Sequence, residues 1–320
     1  MRLRPLPDHV LVGAHSRLAL AEVGVRHGEL AGPLWRRVGR DAYAWAGTDP
    51  DACRQRVLEA AEQLPSGCAI TGWAAAWLLG ARDLDGLGRD GSTPQPVPLV
   101  VLPGARARRA GLTTIRSALA DEEVQLVEGV PVTRPARTCF ELMRSRAGLE
   151  DAVVGVDAML RLDLLSEDLL HREVRRRRGW KRVVQARQAL TLADGRARSA
   201  PESRLRVVWI VEAGLPRPLV NRAVYRTDGF PLGEPDLLDE ESGLAGEYDG
   251  SGHRGLERHT HDNQREEWME HAGLVVTRAT SIDLGPRRRG LVGRLRAAHA
   301  RAMARDASTR RWRLEGLPWR

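Results

Sequence analysis

Apolar and polar positions along this chain fall first into helical, then into strand-like periods. His15 to Glu22 and Arg26 to Leu30 read as two short helical stretches parted by Gly24, and Trp35 to Trp45 alternates basic and apolar residues as a hairpin does. A helix is expected from Asp51 to Leu64. The apolar run Ala69 to Leu79 follows, with Trp73 and Trp77 one turn apart on what is most simply a packed face. Pro96 to Pro103 and Thr113 to Ser117 read as strands, and Gly129 to Leu142 leads into helices reaching about Leu192. A basic linker around Ala197 to Ala200 marks a domain boundary. Beyond it come a helix opening at Pro201, two strand segments, a further helix and strand, and an Arg-rich helix from about Leu291 to Arg305.

The two strand segments, Gly233 to Asp239 and Leu244 to Gly250, carry the most unusual chemistry. Between Glu234 and Asp249 the chain places seven carboxylates in sixteen residues with no Arg or Lys, inside a protein of net charge +8. The turn-like Glu240-Glu-Ser-Gly243 joins them into a hairpin. On extended chain Glu247 and Asp249 share one face and Tyr248 takes the other. With Asp236 across the pair from Glu247, three carboxylates converge. Like charges held that close are costly unless a cation neutralises them. An all-oxygen site of this kind suits Mg2+ or Mn2+.

With those segments in view, the run from Glu202 to Leu284 resembles the restriction-endonuclease-like superfamily with the PD-(D/E)xK signature, and its very-short-patch-repair-like branch most closely. The matching pieces are Pro201-Glu-Ser-Arg-Leu-Arg206, Glu234-Pro-Asp-Leu237, Glu247-Tyr-Asp-Gly250, Gly252-His-Arg254, Asp262-Asn-Gln-Arg265 and Ala272 to Arg278. The resemblance implies a helix, three strands, a helix and a strand, with Glu202, Asp236 and Glu247 on the metal. The signature's lysine falls at Asp249, and the single lysine of the chain, Lys181, lies far upstream. Relatives in the repair branch place histidines near the metal, which makes His253 a candidate beside Asp249. Each residue has a plainer reading as well. Glu202 stands three after Ser199, which is a capping box by itself. Asp249-Gly250 is a good turn dipeptide, His253 an exposed loop histidine, and Asp262 with Arg265 a helix salt bridge.

Residues 10 to 195 are similar to the AbiEi-type antitoxin and transcriptional-regulator family. The likeness rests on the helix-helix-hairpin start, on Thr71-Gly-Trp-Ala-Ala-Ala-Trp77 and on Val132-Thr-Arg-Pro-Ala-Arg-Thr138. It implies DNA binding and, in some members, neutralisation of a cognate toxin. The expected architecture is therefore a multidomain α+β or α/β protein. A winged-helix-like module spans 1–50, an AbiEi-like α/β region 51–198, and a restriction-endonuclease-like domain with a basic helical tail 199–320.

Charge and composition refine this picture. Candidate phosphate contacts are Arg36, Arg37 and Arg40 in the N-terminal hairpin, Arg254, Arg258 and Arg265 near the acidic site, and Arg287, Arg288 and Arg289 at the start of the tail. Arg172 to Arg182 is a further basic run. The alternative is a solvated face, since Arg replaces Lys almost everywhere, as GC-rich coding would produce. The three cysteines, Cys53, Cys68 and Cys139, are odd in number and scattered, as expected of free thiols in a reducing cytoplasm. No apolar run approaches the ~18 residues of a membrane span. The sequence thus points to a Mg2+- or Mn2+-dependent DNA endonuclease of repair or phage defence. The alternative is a catalytically inactive DNA-binding regulator or antitoxin.

Overall fold

The computed structural model describes residues 6–105, 110–145, 147–250 and 256–314. The chain is mixed α/β, with several sheets and ten α-helices among the described residues. It divides into two compact units. One comprises residues 1–145 and 164–179, the other 146–163 and 180–320.

The first unit opens with strand β1 (His15–Ser16), helix α1 (Arg17–Glu22), a 3-10 turn at His27–Ala31, and strands β2 (Trp35–Arg37) and β3 (Ala42–Trp45). Ser16 caps α1 by accepting the Ala19 N–H at 3.1 Å. The strands form a small antiparallel sheet in the order β1-β3-β2. Val10, Leu20, Val25, Leu30 and Trp35 form its core.

Helix α2 (Cys53–Ala61), strand β4 (Ala69–Ile70), helix α3 (Gly72–Leu78) and strands β5 (Val97–Val101), β6 (Leu112–Arg116), β7 (Val124–Val127) and β8 (Val130–Thr133) follow, then helix α4 (Pro135–Met143). The five strands make a mixed sheet in the order β6-β5-β4-β8-β7. The apolar run from Ala69 is thus a strand that breaks into a helix at Gly72. Its φ is +55°, and a Cβ there would stand 2.8 Å from Pro98 Cγ, so only glycine turns the chain at this point. Beside the break, the Thr133 hydroxyl bonds those of Thr71 and Thr138 at 2.9 and 2.7 Å, all three buried.

Helix α5 (Leu149–Leu160) belongs to the second unit, whereas α6 (Glu167–Arg176) returns to the first. The second unit continues with α7 (Val183–Leu192), α8 (Ala200–Val207), a π-helical turn at Val208–Glu212, and strands β9 (Leu219–Val220), β10 (Val224–Arg226), β11 (Pro231–Gly233), β12 (Leu237–Asp239) and β13 (Leu244–Tyr248). Helix α9 (Leu256–His271), β14 (Val275–Ala279), α10 (Arg288–Met303) and β15 (Trp312–Arg313) complete it. A four-stranded sheet runs β14-β13-β12-β9, with β13 and β14 parallel and the other pairs antiparallel. A second sheet runs β11-β10-β15.

Strand alternation divides the larger sheet between two cores. Leu237, Leu244 and Val275 pack with Trp209, Leu291 and Leu295 on one side. Leu238, Ala245 and Leu274 pack with Met269, Leu232 and Trp312 on the other. Helix α10, expected as an Arg-rich surface helix, therefore also buries Leu291, Leu295, Ala298 and Ala302. The expected boundary near residue 198 falls inside the second unit, because α5 is tied to α8 by a fully buried ion pair. Arg206, 0% exposed, bonds the Asp157 carboxylate, which also accepts Ser203 Oγ and the Asp194 N–H.

Candidate functional site

The acidic hairpin forms over a shorter span than expected: β12 begins only at Leu237, Gly233 belongs to β11 in the other sheet, and β13 ends at Tyr248, so that Asp249 lies beyond it. Leu237 pairs with Gly246 and Leu238 with Ala245, so the next step outward along the hairpin brings Asp236 opposite Glu247. The Tyr248 N–H donates to Asp236 Oδ2 at 2.7 Å and holds that carboxylate at the strand ends. Gly246 makes this register possible, since a Cβ there would stand 3.0 Å from the Trp209 ring.

Glu202 reaches the same place from α8. Ser199 caps that helix, Pro201 occupies its first turn, and Glu202 is 8% exposed. Its carboxylate accepts Ser199 Oγ–H at 2.8 Å, the Arg198 N–H at 2.8 Å and Asn221 Nδ2 at 2.9 Å. The capping reading of Glu202 is realised in part: Ser199 Oγ accepts the Glu202 N–H at 3.4 Å, while the Glu202 carboxylate takes the N–H of Arg198 in place of that of Ser199. This helix start also faces the acidic hairpin. Asn221 links the two, because its own N–H donates to the Asp236 carbonyl at 3.1 Å. Asn221 has φ +47°, a left-handed conformation that asparagine tolerates better than most residues. No motif or period marks it in the sequence; an Asn directly after the apolar pair Leu219-Val220 is the one turn signal that points to it.

Burial, reinforced by the charges of Glu202 and Glu247, pushes the Asp236 carboxyl from 3.8 up to about 7, against the Tyr248 N–H bond and Arg265. Burial also raises Glu247, although Arg265 and Arg278 draw it down. Arg265 Nη2 donates to both Glu247 oxygens at 2.8 Å. This is a site pairing in place of a phosphate-facing one. Arg278, beside Glu247 in the parallel pair, bonds Glu266 at 2.5 Å. Asp236 thus feels the charges of Glu202 and Glu247, yet among the described residues no three His, Cys, Asp or Glu side chains form a ready metal-ligand set. The oxygens of Glu247 are engaged by Arg265, and those of Glu202 by Ser199, Arg198 and Asn221.

The other candidates distribute as follows. Asp249 is partly buried and its N–H bonds Ala279 O at 2.8 Å, extending the β13–β14 pairing. His253, Arg254 and the side chain of Arg258 lie outside the described residues. Glu234 pairs with Arg198 at the surface. Asp239, the last residue of β12, is 5% exposed, accepts from Ser242 Oγ at 2.5 Å and lies 3.3 Å from His299 Nε2.

Among the arginines, Arg36 is diverted to Glu59 by two hydrogen bonds, and Arg37 folds onto the carbonyls of Gly39 and Arg40. Arg40 is exposed. Arg288 is a structural cation, paired with Glu150 and Glu212. Arg287 and Arg289 remain exposed and, with Arg294, line an open cavity of about 690 Å³. No described helix is long and apolar enough to cross a membrane.

Fold and site together define a mixed α/β protein with a partly buried carboxylate trio at one end of a four-stranded sheet, faced by an arginine. Two chains of Mycobacterium tuberculosis are similar to it: "Uncharacterized protein MT2308" of strain CDC 1551 / Oshkosh and "Uncharacterized protein Rv2248" of strain ATCC 25618 / H37Rv. Each is 31% identical over 205 residues, spanning 63% of this chain and 72% of the relative. The chain belongs to the same family as these two proteins. No family model matches it, and no solved structure does.

Proposed function

We propose that the second unit is a restriction-endonuclease-like module that hydrolyses DNA phosphodiesters with a divalent metal, in repair or phage defence. The single observation that carries this reading is a buried Asp236 set beside Glu202 and Glu247, its carboxyl raised to about 7 by burial first and by those two charges second. Buried carboxylates in that state fit a hard cation, because their oxygens are the donors Mg2+ and Mn2+ prefer. Asp236 and Glu247 would hold the ion, with Glu202 beside them. When bound, it would polarise the scissile phosphate and lower the pKa of a water.

The chain's own residues supply the rest. Arg287 and Arg289 offer positive charge to the DNA backbone. Asp249 stands where the signature lysine would be, so His253 is the candidate to take a proton from water near pH 7. The N-terminal sheet and its short helices are read as the winged-helix-like module, followed by the AbiEi-like region, both contacting DNA.

A second reading, a catalytically inactive DNA-binding regulator with a cognate toxin as partner, is favoured by the same lysine substitution and by Arg265 engaging both Glu247 oxygens. Plasmid nicking in Mg2+ and in Mn2+ separates the two. The enzyme reading expects cleavage that Asp236→Ala and Glu247→Ala abolish and His253→Ala reduces. DNA binding with no cleavage of plain, mismatched or modified duplex leaves the regulator.

A further inference from the structure

Arg265 is built into the acidic site with more care than a surface ion pair requires. Its Nη2 sits 2.8 Å from each Glu247 oxygen, so one guanidinium nitrogen faces both ligand atoms of the carboxylate. Its aliphatic stem lies in a slot cut for it. At Gly233, φ is +129° and a Cβ would stand 2.7 Å from Arg265 Cδ and 3.1 Å from Met269 Cε. No side chain fits there while Arg265 keeps its course. Met269, fully buried one turn along α9, closes the slot. The Arg265 charge also reaches Asp236.

We infer that Arg265 is an internal counter-cation that competes with a divalent metal for Glu247, so that its release from that carboxylate sets the metal affinity of the site. The inference rests on the metal-site reading above and adds a control element to it. A divalent ion binding Glu247 must approach its oxygens to roughly 2.0–2.6 Å. The Arg265 nitrogen that now faces both of those oxygens would then be held against a like charge, in a partly desolvated setting where such repulsion is weakly screened. The ion and the Arg265–Glu247 bond therefore exclude each other. A bound phosphate group is the natural acceptor for the displaced guanidinium, since Arg pairs with phosphate as readily as with carboxylate. Metal loading would in this way be coupled to the arrival of the nucleic-acid backbone.

The test is Mn2+ binding to the full chain, followed by electron paramagnetic resonance of unbound Mn2+ and by calorimetry, with no turnover measured. Arg265→Gln is expected to tighten Mn2+ binding on the order of tenfold over wild type, and Arg265→Lys to change it less. Asp236→Asn should remove the binding in both backgrounds. Equal or weaker binding by Arg265→Gln, with wild-type binding still lost in Asp236→Asn, overturns the inference and leaves the metal site standing. Binding by neither protein, or binding indifferent to Asp236→Asn, overturns the metal-site reading and the inference with it. Should Arg265→Gln unfold when made, refolding in Mn2+ but not in NaCl of matched ionic strength supports the inference. Failure in both overturns it.

Discussion

The Tyr248 backbone N–H donates to Asp236 Oδ2 at 2.7 Å, so the strand that carries Glu247 also holds the carboxylate facing it. Two acids are thereby fixed opposite each other by main-chain geometry, and burial, reinforced by the charges of Glu202 and Glu247, lets Asp236 keep its proton to about pH 7.

That retained proton has a sign. The Asp236 carboxyl is raised in the fold from 3.8 to about 7, so the native chain binds the extra proton and gains stability fully below about pH 4. The gain is lost as pH rises through about 7. Asp236→Asn, which cannot ionise, should therefore be increasingly stable relative to wild type between pH 5 and pH 8. Urea midpoints across that range check this, and a pH-independent difference would show that Asp236 is not buried among like charges. Added Mg2+ should narrow the gap at pH 8 by stabilising wild type alone.

Arg287 and Arg289 are expected to separate from their neighbour Arg288. Replacing both exposed residues by Gln should flatten the salt dependence of duplex binding, by about 0.9 in slope for each phosphate that is no longer neutralised, with the melting temperature unchanged. Arg288→Gln should do the reverse, lowering the melting temperature because Glu150 and Glu212 lose their shared partner. Removing the whole tail is a poor test, since α10 buries Leu291 and Leu295. Binding titrations at several salt concentrations alongside thermal melts distinguish the classes.

Arg206→Met should be among the most damaging single changes in the second unit. It leaves the Asp157 carboxylate buried without its guanidinium, and breaking one side of such a pair costs about 3–5 kcal/mol. Burial already raises the Asp157 carboxyl against the pull of Arg206 and Ser203. Asp157→Asn with Arg206→Met should recover part of the loss. A double mutant no better than the single would mean that packing rather than charge dominates.

Gly246→Ala is expected to cost about 1–3 kcal/mol by overpacking, because the added methyl meets the Trp209 ring at 3.0 Å. The strain falls on β13 one residue before Glu247, so metal affinity should drop along with the denaturant midpoint. Normal stability would mean that Trp209 shifts without cost.

What the sequence determined by itself is local. The Ser199–Glu202 cap, the turn between the acidic strands and the opposition of Asp236 and Glu247 all follow from contacts within a helical turn or between adjacent strands, which spacing alone encodes. The period of two puts the neighbours Leu237 and Leu238 on opposite faces, and they pack into different cores. Tertiary structure decided how the charged side chains are used. In the sequence Arg265 reads first as a partner of Asp262 one turn away and also as a phosphate contact; with α9 packed against β11 it bonds Glu247. Asn221 joins Glu202 to Asp236 through a left-handed backbone that no periodicity announces. Arg288 is paired with Glu150 across 138 residues of sequence, and α5 enters the second unit because Asp157 meets Arg206. A guanidinium reaches several partners at once along its flexible stem. Which one it keeps depends on the desolvation and charge that the assembled fold supplies, and those exist only once distant segments have packed.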